Sequence, residues 1–321
     1  MRFFLITLLA FINIQAQSST KEAHWLQLPK VQRYIATQVS NGKFNHHELS
    51  LYLSQATIKP SIIKKITHPF EAKPWGIYKQ HFLTTYRVSK GKEFLKKNKK
   101  ILNKAEKKYK VPANIITAIL GVESNYGKIQ QHYRTLDALA TLAFYYPKRA
   151  KFFQSELSQY LVMIKRYHWS PLQAGSSYAG AMGMPQFMPS SYLRYAVSSD
   201  QHHYPNLFKN SNDAILSIAN YLHHFKWQYK KPIVKKVKIS NTSSLINNTH
   251  WPIKTNYAQL KKLGIKIKAS PKTVLTLWHL KGQDKTTLWV GWPNLKVIMK
   301  YNKSPMYAIA TAELAKAIYK K

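Results

Sequence analysis

The sequence predicts a mainly α-helical protein of α+β class, with one small β unit near its C-terminal end. Three observations predict this. Apolar residues recur at helical spacing from about Trp25 to beyond Leu222. After Lys231-Pro232 the chain changes to short β-branched or aromatic runs separated by Gly, Pro and Asn. From Tyr301 to Tyr319 it returns to a helical pattern, with Ala308, Ala312, Ala315 and Ile318 on one face. With 321 residues there is room for one large or two to three small domains, and 45% hydrophobic content is enough to build their cores.

The elements follow in order. Arg2 gives a positive start, Phe3 to Ile14 is apolar apart from Thr7 and Asn13, and Gln15-Ala16 offers a small residue for cleavage. Residues 1–16 thus read as a secretory signal peptide, too short for the roughly 20 residues that span a membrane. An N-terminal helical region follows over 24–110, with Val31, Tyr34 and Ile35 on one face and Phe94, Leu95, Ile101, Leu102 and Tyr109 on another. Loops are expected at Lys59-Pro60 and between His68 and Trp75. The lysines at 96, 97, 99, 100, 107 and 108 read as a solvated helix face.

Pro112 opens a helix whose Ile115, Ile116, Ile119, Leu120 and Val122 predict burial all round, and Gly127 ends it. Asp137 is expected to cap the next helix, one more runs from about Arg149 to Tyr167, and Asn212-Asp213 is expected to start another. Strands are expected at Val234–Ile239, Ile265–Lys268, Val274–Trp278, Leu288–Val290 and Val297–Met299.

Composition limits function. Fifty Lys plus Arg against twelve Asp plus Glu give a formal charge of +38, which calls for an anionic polymer as partner. A signal peptide argues against nucleic acid and for a cell wall or envelope surface. No cysteine is present, which removes disulfides, thiol nucleophiles, Cys-based zinc sites and a lipoprotein anchor. The expected product is therefore periplasmic and soluble after cleavage, and a monomer. The pairs His46-His47, His202-His203 and His223-His224 read as surface residues, because sequence neighbours do not share a helix face. No metal or other cofactor is expected.

The scarcity of acids makes them few enough to inspect singly. Glu48, Glu93, Glu106, Glu156 and Glu313 sit in amphipathic helices and read as surface pairing residues. Glu22 borders the signal peptide, and Glu71, Asp200 and Asp284 lie in loops. Glu123 differs, because Ile116, Ile119 and Leu120 share its helical face. Loss of solvation should raise its pKa and suit it to donate a proton near neutral pH. From position alone, a buried structural glutamate paired with a base stays equally open. Most glycosidases flank the bond with two carboxylates, and no second acid has a comparable setting. One acid suffices where the substrate supplies its own nucleophile, so the pattern fits a substrate-assisted lyase-type reaction better than hydrolysis.

Two segments carry a resemblance: Gly121-Val122-Glu123-Ser124-Asn125-Tyr126-Gly127, and the run Gly180 to Tyr192. With Pro74-Trp75 to Thr84, Leu136 to Pro147, Asp213 to Tyr221 and Tyr301 to Tyr307, the mature chain resembles the B-type lytic murein transglycosylases, family 103 of the glycoside hydrolases. The resemblance implies cleavage of the β-1,4 bond between N-acetylmuramic acid and N-acetylglucosamine in peptidoglycan, with a 1,6-anhydromuramyl end. It implies Glu123 as the single acid/base, Ser177 and Gln186 near the substrate, and Tyr301, Asn302 and Tyr307 lining the sugar groove. Lys148 and Arg149 fall where the family carries a basic pair beside the muramyl peptide; a solvated turn stays equally open. The tyrosines taken alone read as helix packing. The partners implied are peptidoglycan glycan strands, with other cell-wall enzymes admitted.

The implied fold is a lysozyme-like helical core over 111–231, with the N-terminal helical domain over 24–110. A small β domain is inserted over 232–298, and a helix over 299–321 returns to the core. Met184-Pro185 stands where the family is expected to carry tyrosine and glycine. Ser198 to Asp213 lies where the family can carry a calcium loop, yet it has no central glycine and offers mostly Ser, His and Tyr, so little or no calcium binding is expected. A catalytically weak wall-binding protein of the same fold is the rival reading.

Overall fold

The computed structural model describes residues 24–68, 73–200, 203–239, 250–282 and 286–320. The signal-peptide expectation for 1–16, and Glu22, Glu71, His202 and Asp284, lie outside the described residues. In chain order the helices are α1 (Pro29–Ser40), α2 (His46–Ser54), α3 (Pro60–Ile66), α4 (Trp75–Phe82), α5 (Thr85–Lys97), α6 (Lys99–Tyr109) and α7 (Ala113–Ser124). They continue with α8 (Thr135–Tyr145), α9 (Ala150–Tyr167), α10 (Pro189–Tyr195), α11 (Ser211–His224), α12 (Tyr257–Lys262), α13 (Pro293–Tyr301) and α14 (Pro305–Tyr319). The strands are β1 (Tyr133–Arg134), β2 (Gly175–Ser176), β3 (Val234–Val237), β4 (Ile253–Thr255), β5 (Leu275–Leu280) and β6 (Thr287–Gly291). The architecture is mainly α with a small sheet, as the periodicity predicts.

Two compact units form, each from two stretches of chain. One unit combines the chain up to His68 with Gln130–Arg194. Here α9 packs along α8, and α3 also packs on α8. Leu136, Leu139 and Leu142 meet Leu157 and Leu161 in a core sealed from water. Trp25 and Tyr34 close against Phe144 at ring centroid distances of 5.6 and 5.5 Å. Asp137 is 2% exposed and does not cap α8. It sits one turn inside, where Arg134 binds it through Nε at 2.7 Å and Nη2 at 2.9 Å, and the Thr57 amide donates to it at 2.9 Å. A buried carboxylate needs such full pairing, and its place in the first helical turn also suits the helix dipole.

The other unit combines Pro69–Ile129 with Tyr195–Lys321. Helix α7 lies at its centre, packed by α14, α5, α11 and α6. Ile115, Ile116, Ile119, Leu120 and Val122 are all buried, as their uninterrupted apolar pattern predicts. The cap of α11 is Asn210, whose Oδ1 accepts from the amides of Asn212 and Asp213. Asp213 lies inside the first turn and is 2% exposed.

The sheet in this unit is antiparallel, in the order β3-β6-β5-β4. Alternation sends Leu275, Leu277, Leu288 and Val290 into a core with Leu260, Ile265 and Trp292. The opposite face carries Trp289, whose ring meets Trp75 edge-on at 5.9 Å. Two expected strands are absent among the described residues. Ile265–Lys268 forms no strand, yet Ile265 and Ile267 fill the sheet's core. Val297–Met299 lies in α13, because Pro293 in the first turn starts a helix that the β-branched residues do not prevent. Ile253–Thr255 is a strand too short to stand out in the sequence.

Candidate functional site

Helix α7 carries Glu123 in its last turn. A carboxylate there faces the negative end of the helix dipole, so the position does not serve helix stability. What the local sequence does is fix it. At the start of α7, Pro112 has no side chain to cap with, and Glu106 supplies the carboxylate that accepts from the Ala113 amide at 2.9 Å. At the end, Asn125, Tyr126 and Gly127 all adopt left-handed backbone, with φ of 48°, 62° and 85°. Two non-glycine residues in that region carry strain, which the surroundings must hold. The Tyr126 amide donates to Leu120 O at 3.0 Å, the Gly127 amide to Ser124 Oγ at 3.0 Å, and the Ile129 amide to Ser124 O at 3.0 Å.

This reversal folds the Tyr126 ring back beneath α7. A Cβ on Gly121 would stand 2.7 Å from that ring, so only glycine fits there. The Tyr126 hydroxyl donates to Arg87 O at 2.7 Å, and its ring stacks on Phe94 at 5.6 Å. The spacing of Gly121, Glu123, Asn125, Tyr126 and Gly127 is thus a mechanical unit that fixes Glu123.

Glu123 is half-buried. The Tyr307 hydroxyl, from the first turn of α14, donates to its Oε1 at 2.5 Å. Tyr307 is 3% exposed. Its ring stacks on Tyr301 at 6.5 Å, and Tyr301 meets Tyr221 at 4.9 Å. Tyr221 meets Tyr195 at 4.9 Å and donates to Lys300 O at 2.5 Å. Burial pushes the Tyr301 and Tyr307 hydroxyls well above the usual tyrosine range, and the charge of Glu123 beside them adds to the effect. Both therefore stay protonated and act as donors at any ordinary pH. Asn302 serves the same segment: its Oδ1 accepts from the Ser304 amide at 3.0 Å, and Ser304 Oγ accepts from the Tyr307 amide at 3.3 Å. Together these bonds seat the start of α14 and so aim Tyr307.

Ser177 and Gln186 belong to the other unit, with Lys148 and Arg149. The run from Gly180 folds as tight turns. Met182 and Phe187 exchange amide bonds of 2.8 and 3.0 Å, which closes a turn over Gly183 to Gln186. Ser177 Oγ accepts from the Ala181 amide at 3.2 Å, and Gln186 Nε2 donates to Gly183 O at 2.9 Å. Gly180, at φ 80°, has Leu139 Cδ2 2.5 Å from where a Cβ would stand, so the glycine lets the loop lie on α8. Met184-Pro185 sits at the two central positions of the turn, and proline's missing N–H costs nothing there because the closing donor is the Gln186 amide, to Gly183 O at 3.1 Å. Lys148 and Arg149 form an exposed turn, with the Arg149 guanidinium over the Phe152 ring at 4.1 Å.

The structure thus brings Glu123, Tyr301, Asn302 and Tyr307 together in one unit. Tyr221 and Tyr195 join them without having stood out in the sequence, because a tyrosine at core spacing on an amphipathic helix looks like packing. Glu156 departs from the surface role expected of it. It is 5% exposed, accepts from the Ser190 amide at 2.9 Å and from Ser190 Oγ at 2.7 Å, and so caps α10 just after the Gly180 run. Its burial pushes its pKa up, partly offset by the Ser190 bonds and the Arg149 charge.

No group of three or more His, Cys, Asp or Glu that could hold a metal occurs among the described residues. In the segment before α11, Asp213 Oδ1 accepts from Ser199 N at 2.7 Å, Ser199 Oγ at 2.6 Å and Asn210 Nδ2 at 3.0 Å, while Oδ2 accepts from Asn206 N at 2.8 Å. Protein donors occupy the positions that a cation's charge would need, so this donor set does not suit calcium.

Comparison with known proteins identifies the family. Residues 27–316 match the family described as transglycosylase SLT domain. The chain is 34% identical over 306 residues to membrane-bound lytic murein transglycosylase B of Escherichia coli K12, covering 90% of this chain and 82% of that protein. Among solved structures, soluble lytic transglycosylase SltB1 of Pseudomonas aeruginosa superposes with a TM-score of 0.82 at 36% identity, over 90% of this chain and 98% of its own. The E. coli lytic transglycosylase Slt35 in complex with calcium superposes with a TM-score of 0.79 at 33% identity, over 90% and 92% of the two chains.

Proposed function

The chain belongs to the transglycosylase SLT family, and from that premise we propose how its own residues carry the reaction. It is a lytic transglycosylase that cleaves peptidoglycan, between N-acetylmuramic acid and N-acetylglucosamine, leaving 1,6-anhydromuramic acid ends. Glu123 is the single acid/base. The observation that carries this is its carboxyl group, half-buried at the end of α7 and held at Oε1 by Tyr307 at 2.5 Å. The buried carboxylates Asp137, Glu156 and Asp213 are each committed to protein donors.

With Oε1 held, Oε2 carries the proton. It passes to the glycosidic oxygen as the C1–O bond breaks and N-acetylglucosamine departs. Glu123, now ionised, takes the proton of the muramyl 6-hydroxyl as that oxygen bonds to C1. The proton gained equals the proton given, so the enzyme is regenerated without water. Tyr301 and Asn302, both partly exposed, line the sugar groove, and Tyr307 serves that segment by holding Glu123. Ser177 and Gln186 contribute from the loop they brace, and Lys148 and Arg149 take carboxylates of the muramyl peptide. The protein acts in the periplasm after loss of residues 1–16, with the catalytic core formed by 111–231 and the returning 299–321 helix.

Glu123→Gln tests this reading. The amide keeps an oxygen for Tyr307 and loses the transferable proton. Purified sacculi are incubated with each protein, and the soluble muropeptides are weighed by mass spectrometry. Anhydro-ended products from the parent alone establish the role of Glu123. Reducing-end products mean hydrolysis instead, and anhydro products from Glu123→Gln assign the acid elsewhere. Silence from both proteins turns the assignment to a wall-binding protein of this fold.

A further inference from the structure

In the unit that does not contain Glu123, α1 and α9 enclose a cleft of about 470 Å³. Four cations line it: Lys30, Arg33, Lys43 and Lys151; no acidic residue does. Arg33, Lys43 and Lys151 are exposed, and among the described residues no ion pair occupies them. The wall is polar rather than aromatic. Tyr34 and Ser158 hydroxyls bond to each other at 2.9 Å, and the Ser158 hydroxyl donates to Gln154 O at 3.0 Å. Gln38, 8% exposed, also lines the cleft. Its side-chain amide can both donate and accept hydrogen bonds.

We propose that this cleft is an accessory site for the carboxylate-bearing peptide stems of peptidoglycan, separate from the residues that cleave the glycan. Unpaired cations around the rim meet the carboxylates, and the Gln38 amide meets a peptide group. Sugar rings are poorly served, since the only aromatic ring lining the cleft, Tyr34, is itself 5% exposed and packed on Phe144. The site rests on the reading that peptidoglycan is the substrate. It explains where part of the +38 charge acts, by holding the enzyme on the wall between cleavage events.

The test uses wall peptide freed of sugar by an amidase, so that binding is read without any cleavage. Isothermal titration follows its binding to the full Glu123→Gln protein and to the same protein carrying Arg33→Ala, Lys43→Ala and Lys151→Ala. A control triple, Lys96→Ala, Lys97→Ala and Lys100→Ala, removes the same charge from exposed positions at the junction of α5 and α6. The cleft triple should bind about tenfold more weakly, as three solvent-facing ion pairs are worth together, and the control within about twofold. Blocking the peptide carboxylates as amides should abolish binding to the parent. The proposal falls if the parent does not bind the peptide, if the cleft triple binds as tightly, or if the control loses as much. If the cleft triple melts early, Arg33→Gln alone, at about threefold weaker binding, carries the same test. Because the protein is inactive, none of these outcomes depends on the cleavage reaction, which sacculus digestion by the parent enzyme decides separately.

Discussion

Tyr307→Phe removes one hydroxyl and leaves the ring. That hydroxyl lies 2.5 Å from Glu123 Oε1 and is the donor the carboxyl depends on as it gives up its proton. A hydrogen bond to a charged group is worth about 1.5–3 kcal/mol, more than one to a neutral acid. The bond strengthens as the proton leaves for the glycosidic oxygen, so its loss falls on the transition state rather than on substrate binding. At 1.36 kcal/mol per tenfold, kcat should drop by about 10- to 150-fold while KM moves by less than about threefold. The assay is initial release of anhydro-ended products from a defined glycan across pH. Loss of a donor to the ionised form favours the protonated form, so the alkaline limb of activity should move to higher pH. A merely structural tyrosine would lower the melting temperature and leave that limb in place. The reasoning is refuted by a folded Tyr307→Phe protein whose kcat stays within about twofold of the parent and whose pH profile is unmoved.

Gly121→Ala should destabilise by about 1–3 kcal/mol, because its methyl would meet the Tyr126 ring at 2.7 Å; a thermal melt at the parent's midpoint would show no change if that contact yields freely. Glu156 gives a pH dependence with a definite sign. Its folded-state pKa is raised above the ordinary value of 4.5, so between the two values the folded form holds a proton that the unfolded form has lost. Its contribution is present below the unfolded value and fades as pH rises through the folded one. The stability of the parent relative to Glu156→Gln should therefore grow as pH falls from 7 toward 4.5, and a flat difference in denaturant midpoints across that range would contradict the burial account. Calcium in millimolar excess, or its removal by a chelator, should leave the melting temperature within about 1 °C, since a site bound a hundredfold above its Kd would add about 2.7 kcal/mol; a rise of several degrees would mean that the Asp213 segment accepts the ion.

The fold was legible where one face of an element meets one environment. Ile115 to Val122 announce a buried helix, and the change of texture after Pro232 announces a sheet, because period and burial coincide there. Legibility failed where a residue's partner is remote in sequence. Val297–Met299 looks like a strand because β-branching is a weak preference, and Pro293 with a buried face at Leu295, Val297 and Ile298 outweighs it. Glu156 looks like a surface acid because its helix is amphipathic, yet it faces Ser190, thirty-four positions away. The site divides in the same way. Gly121 to Gly127 is local, so its turn and its glutamate can be read directly. Tyr307 reaches Glu123 across 184 positions; its spacing alone reads as helix packing, and only the resemblance carried by Tyr301 to Tyr307 singles it out.

The acids make the physical basis of this plain. In a chain with fifty cations, any exposed carboxylate finds a partner, so pairing alone identifies nothing. Burial is what costs, and each buried carboxylate must be matched with donors. Asp137 has an arginine and an amide, Asp213 has two amides, a hydroxyl and an asparagine, and Glu156 has a helix N-terminus. Glu123 is set apart by a strained turn behind it, a helix dipole against it and aromatic rings around the tyrosine that donates to it. The turn and the dipole do nothing for an ordinary charged side chain, the tyrosine steadies the ionised form, and the combination suits a group that must give a proton and take it back.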